Sequence, residues 1–113
     1  MDCIFCKIAS KAIPARIAFE SERVIAFHDM FPQAPTHILV IPKAHHATLN
    51  DVPASEAGLL GELVSAATAV AKELGLAEPG YRVVMNCNAD GGQSVYHIHL
   101  HLLGGRHLAW PPG

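Results

Sequence analysis

The chain has 113 residues, half of them hydrophobic, enough for a single domain that buries roughly two thirds of its unfolded surface without disulfides. Its formal net charge is −2 and its eight lysines and arginines are scattered, which excludes the basic footprint of a binder of nucleic-acid polymers or anionic membranes. No segment approaches the roughly 20 apolar residues of a membrane span and the first residues carry no basic leader, so a cytoplasmic location is expected.

In chain order, a short helix is expected over residues 4–10, ended before Ile13-Pro14. Cys3 and Cys6 at its start are too close together to staple a secreted fold, so metal or free thiols outrank a disulfide; Cys87 reads as a small buried or edge residue. Strands follow at 15–19, 23–28 and 36–41. Between the last two, Pro32-Gln33-Ala34-Pro35 forces an irregular loop, and pairing of its flanks would bring His28, Asp29 and His37 together. On spacing alone, Asp29 reads first as a solvated carboxylate or an Asx turn. The longest helical signal is 55–74, where Leu59, Leu63, Ala67, Val70 and Leu74 recur at three- and four-residue spacing, with Ser55 as N-cap and Gly75 just past the end. Strands at 81–86 and 95–103 complete an α+β domain, a mostly antiparallel five-stranded sheet with one long and one short helix spanning residues 1–113.

The most informative stretch is His97-Ile98-His99-Leu100-His101-Leu102-Leu103. A period of two puts three imidazoles on one face of a strand and three aliphatic side chains on the other. The aliphatic face belongs to a core. The other face sets groups that titrate near neutral pH side by side on a rigid element, a placement that suits chemistry better than stability. Ahead of it, Gly91 and Gly92 in Asp90-Gly91-Gly92-Gln93-Ser94 let backbone amides approach an anion closely.

With this triad, the Gly-Gly-Gln-Ser segment, Phe27-His28-Asp29, Pro35-Thr36-His37 and the ending Trp110-Pro111-Pro112-Gly113, the chain resembles the histidine triad proteins, and within them the nucleotide-binding Hint branch. The resemblance implies a homodimer with one continuous sheet. It also implies hydrolysis of purine nucleoside phosphoramidates or aminoacyl-adenylates to the nucleoside monophosphate, with no cofactor needed for catalysis. By the same resemblance His99 is the nucleophile that becomes transiently nucleotidylated. Attack through one ring nitrogen requires the proton on the other, so a backbone carbonyl fixing the tautomer is expected. His101 corresponds to the histidine that contacts the phosphate and bridging atom, and His37 to the one that supports it; Ser94 and Gln93 correspond to hydrogen-bonding partners of phosphate and leaving group, and His97 is the first member of the triad.

For the nucleoside, the resemblance makes Asp29 the ribose carboxylate. It makes Ile4, Phe5, Ile8, Phe27, His28 and Met30 the purine slot, and sets Asn86 and Gly92 near ribose and phosphate. Cys3 and Cys6 resemble bacterial members and imply a structural zinc shared with His45 and His97, with His46 as the alternative to His45. Trp110 follows the Gly104-Gly105 break and cannot continue the strand; it is expected to pack on the second protomer at the rim of that protomer's site. Competing readings are a dinucleoside polyphosphate hydrolase or nucleotidyltransferase, a catalytically idle nucleotide-binding dimer, and a protein whose three histidines bind a transition metal.

Overall fold

The computed structural model describes residues 2–113. Five strands form one antiparallel sheet: β1 (Ile17–Glu20), β2 (Val24–His28), β3 (Thr36–Pro42), β4 (Tyr81–Met85) and β5 (Leu100–Gly104), in the spatial order β1-β2-β3-β5-β4. Three helices accompany it: α1 (Ile4–Ala9), α2 (Ala57–Glu73) and the short α3 (Asn88–Gly91). Two 3-10 turns, Leu49–Asp51 and Ala54–Glu56, lead into α2.

The central strands read as unbroken apolar runs because both their faces are covered. Val24, Ala26, Ile38, Val40, Leu100 and Leu102 meet the stripe of α2 formed by Leu59, Leu63, Ala67 and Val70. On the opposite face Ile25, Phe27, Leu39 and Ile41 pack with Phe5 and Ile8 of α1. The second layer is thin, one short helix over half a sheet, and it leaves room for a cleft.

Several boundaries differ from the sequence expectation, each for a local reason. Helix α2 begins at Ala57 with no side-chain cap, because Ser55 sits inside the preceding 3-10 turn instead of serving as its N-cap. Its other end is as expected: Gly75 takes φ 77°, with Gly75 N–H donating to the Lys72 carbonyl and Leu76 N–H to that of Ala71, a Schellman closure. Residues 88–91 form a helical turn that the turn-rich sequence did not announce, closed by Gly92 at φ 78°.

The strand expected over 95–103 is shorter, starting at Leu100. The ladder with β3 pairs Val40 with Leu100, and beyond it Pro42 has no N–H to offer while its carbonyl is taken by the His97 ring. The chain stays extended enough to keep its alternation. Ile98, Leu100 and Leu102 are buried under α2, while His97 and His99 turn their rings to the α1 side, edge-on to Phe5.

Candidate functional site

A cleft of about 470 Å³ lies between α1, the segment that follows it, the end of β2 and the histidine face of β5. Ile4, Phe5, Ile8, Phe27, His28, Asp29, Met30, Ser94, His99 and His101, all proposed from sequence, line it. So do Ile13, Pro14, Ala15, Arg16, Phe31, Leu39 and Val95, which were not singled out. The Ile13-Pro14 break that ends α1 is the signal that could have found the first four: a chain that cannot continue a helix must turn back across the sheet.

Asn86, Gly92, Gln93 and Trp110 do not line the cleft of the single chain. Gln93 is buried, and its amide braces the loop instead: Oε1 accepts from Asn88 N–H, and Nε2 donates to the carbonyls of Ala47 and Val95. The Gly92 and Gln93 amides donate to the carbonyls of Ala89 and Asn88, closing α3. Trp110 is 81% exposed.

His99 and His101 of the cleft, and His37 behind them, have their protons assigned by their neighbours. His99 Nδ1 lies 2.8 Å from the carbonyl oxygen of His97, so Nδ1 carries the proton and donates it, and Nε2 holds a free lone pair. This is the carbonyl partner expected from sequence, and it comes from two residues away on the same chain. His37 Nδ1 accepts the N–H of Gln33 at 3.0 Å, which puts the proton of neutral His37 on Nε2. That nitrogen is 2.9 Å from His101 Nδ1, so His101 accepts there and carries its own proton on Nε2. Burial, reinforced by the positive charge His99 and His37 would carry, pushes the His101 pKa down to about 4; burial also lowers that of His37, against the pull of Asp29. His28 is lowered by burial and by the charge of Arg16.

Asp29 is tied at both oxygens. Oδ1 accepts the N–H of Phe31 at 2.7 Å, the Asx turn read from sequence, while Oδ2 lies 3.5 Å from His37 Nε2. Asp29, His37 and His101 bring ligand atoms within 4.8 Å of one another. A metal at His37 Nε2 would require the proton on Nδ1, facing the N–H of Gln33, so two donors would collide. This cluster is better suited to sharing protons than to holding an ion.

On the far side of His97 the donor set is different. Its Nε2–H donates to the Pro42 carbonyl at 2.8 Å, which leaves Nδ1 as a lone pair. That lone pair lies 3.3 Å from Cys3 Sγ, 3.5 Å from Cys6 Sγ and 3.1 Å from His45 Nδ1, with Cys6 Sγ 3.4 Å from His45 Nδ1. A tetrahedral zinc bound by two thiolates and two imidazoles has ligand–ligand edges of about 3.3 to 3.8 Å, so the four residues fit the ion. The carbonyl on the outer nitrogen of His97 is the usual second partner of a metal-bound imidazole. His46 is not in the cluster: it contributes its carbonyl to Ile98 N–H, and its buried Nε2 has no hydrogen-bond partner.

Comparisons with known proteins show the family and the fold. The model of the HIT domain matches residues 10–108. The purine nucleoside phosphoramidase of Escherichia coli K12 is 50% identical over 107 residues, covering 95% of this chain and 90% of that protein. A 14 kDa zinc-binding protein of Zea mays is 54% identical over 112 residues, covering 97% and 87%. The crystal structure of a HIT family hydrolase from Legionella pneumophila superposes with a TM-score of 0.96 at 55% identity, covering 99% of this chain and all of that one. A family match over residues 10–108, on a fold whose His99 and His101 line an apolar cleft, has one reading: the chain belongs to the histidine triad (HIT) domain family.

Proposed function

We propose that this HIT hydrolase cleaves purine nucleoside phosphoramidates and aminoacyl-adenylates through a nucleotidyl-histidine intermediate on His99. The observation that carries the reading is the 2.8 Å contact between His99 Nδ1 and the His97 carbonyl, which leaves Nε2 as a nucleophile on a ring that lines an apolar cleft. The 50% identity to a purine nucleoside phosphoramidase supports the substrate class.

In the first step the Nε2 lone pair of His99 bonds to the α-phosphorus as the phosphorus–nitrogen bond breaks. The departing nitrogen takes the Nε2 proton of His101 and leaves as the amine, so that His101 is left as an imidazolate whose negative charge balances the positive charge on the nucleotidylated His99. His101 is then stabilised by the N–H of His37 and by the positive charge on the modified His99. In the second step water gives a proton back to His101 Nε2 and its oxygen displaces His99 from phosphorus, releasing the monophosphate. An aminoacyl-adenylate releases a carboxylate that needs no proton, so the same site serves both substrates. Phe5, Ile8 and Phe27 form an apolar wall for the purine, and Asp29, anchored by the Phe31 amide, accepts from the ribose hydroxyls. Ser94, which lines the cleft, would hydrogen-bond the phosphate and leaving group; Asn86, Gly92 and Gln93 would act from behind the cleft wall, Gln93 by fixing the loop that carries Ser94. Replacing His99 with Ala should lower turnover by roughly 10³-fold or more while nucleoside monophosphate still binds. Rapid-quench intact mass should find the nucleotidyl adduct on the native chain only; near-native turnover by the variant contradicts the assignment.

Zinc is proposed at Cys3, Cys6, His45 and His97, as a structural ion that does no chemistry of its own. When bound it would tie α1 to the loop after β3, holding the wall of the cleft that Phe5 provides. A Cys3→Ser, Cys6→Ser double variant should lose bound zinc by metal analysis and lose thermal stability, with activity per folded molecule falling less. Native protein prepared without chelators and found free of zinc overturns this.

The working form is proposed to be a homodimer. Edge strand β4 exposes Tyr81 and Val83, and Trp110 presents a large apolar surface. Trp110 would read the amine side of the substrate across the dimer. Removing residues 109–113 should change the ranking of amines by kcat/KM with little effect on monophosphate affinity; an unchanged ranking contradicts that role.

His101 also predicts how stability depends on pH. Its folded pKa of about 4 lies below the usual 6.5, so its contribution is complete above pH 6.5 and is lost as pH falls towards 4. A His101→Gln variant should show a smaller drop in urea midpoint between pH 7 and pH 4.5 than the native protein. Equal drops would mean that His101 is not held neutral.

A further inference from the structure

A hydrogen bond joins the Pro32–Pro35 loop to the catalytic face: the Gln33 N–H donates to His37 Nδ1 at 3.0 Å. That contact decides more than the orientation of one ring. The His37–His101 pair has two arrangements of its protons. In one, His37 donates from Nε2 and His101 keeps its proton on Nε2, as found. In the other, His37 is protonated on Nδ1, accepts at Nε2 from His101 Nδ1–H, and His101 Nε2 becomes a bare lone pair that can donate nothing. The Gln33 amide excludes the second arrangement, since Nδ1–H would face N–H, and Asp29 Oδ2 at 3.5 Å from His37 Nε2 favours the first.

The position of Gln33 is itself held from outside the site. Its carbonyl accepts from Arg106 Nη2 at 2.8 Å, 73 residues along the chain. Arg106 is delivered there by Gly105, which has φ 93° and lies so close to the loop that an added Cβ would come within 2.7 Å of Pro35 Cβ. A side chain at 105 would lift the tail from the loop in either respect. The guanidinium also reaches the His107 carbonyl at 3.1 Å, which stiffens the corner it stands on.

We infer that Arg106 is a positioning residue: by clamping the Gln33 carbonyl from the Gly105 corner, it sets the tautomer of His37 and thereby makes His101 a proton donor at Nε2. The clamp rests on the proposed chemistry only for its effect on turnover; its effect on the protons is independent of any substrate. Arg106 is exposed, so losing it strands no charge in the interior, and the fold is expected to survive.

The test combines imidazole ¹⁵N–¹H correlation spectra of the full chain carrying ¹⁵N-histidine with kinetics on an adenosine phosphoramidate. In the native protein His37 and His101 should each show a single Nε2–H tautomer. In Arg106→Ala both should become mixtures, with kcat lower by about tenfold or more and KM within about twofold. Arg106→Lys, which can still donate to the Gln33 carbonyl, should recover most of both. Gly105→Ala provides a second route to the same displacement should Arg106→Ala fold poorly, and should mix the tautomers likewise. Unchanged tautomers in a folded Arg106→Ala protein overturn the inference, as does a fall in kcat with the spectra unaltered, which would mean a merely structural role. Failure of the native protein to hydrolyse the phosphoramidate would instead overturn the proposed reaction, with the spectra still deciding on the clamp.

Discussion

Everything chemical in this fold depends on one constraint: an imidazole has two nitrogens and, when neutral, one proton. A histidine is a nucleophile, a donor or a metal ligand according to which nitrogen a neighbour has claimed. His97 shows how economically a backbone can make those assignments. Its ring donates to Pro42 and turns a lone pair to two cysteines and His45, while its carbonyl takes the proton side of His99 and turns that ring's lone pair into the cleft. One residue thus assigns the protons of two neighbouring clusters.

The sheet makes this affordable. Burying imidazoles disfavours their charged forms, and His37, His97 and His101 are all lowered by desolvation first. Neutral, hydrogen-bonded rings are tolerable in an interior where charged ones would not be, and the aliphatic alternation of Ile98, Leu100 and Leu102 under α2 anchors the segment that carries them. The edge-on contacts of Phe5 with His97 and His99 fill the remaining space on the other face. The start of α1 therefore serves two clusters: Cys3, its N-cap, and Cys6 bring their sulfurs to His45 and His97, a set that could hold a metal, and Phe5, between them in sequence, belongs to the cleft wall.

Much of this was legible in the sequence because it rests on periodicity. The alternation of residues 97–103 fixed which side chains share a face even though the hydrogen-bonded ladder begins only at Leu100. The pairing of β2 with β3 brought Asp29 to His37 as their flanks suggested, with Asp29 N–H donating to the His37 carbonyl at 3.0 Å. What could not be read depends on single contacts between distant segments. Nothing local says that Pro42 will cut the ladder by offering its carbonyl to a side chain. Nothing local says that Gln93 will turn inward to brace a loop, that Ile13 to Arg16 will form the far wall of the cleft, or that Arg106 will reach back to Gln33. Ser55 shows the opposite failure: a good local cap signal gave way to a 3-10 turn that enters the helix from another direction.

Double displacement at phosphorus is the central claim, and its stereochemistry tests it directly. Hydrolysis of a P-chiral nucleoside phosphorothioamidate in ¹⁸O-water, with the configuration of the released thiomonophosphate determined by NMR, reports the number of in-line displacements. Two displacements, first by His99 and then by water, predict net retention of configuration. Net inversion would mean that water attacks the phosphorus in a single step, and that the lone pair held in place by the His97 carbonyl is not the nucleophile.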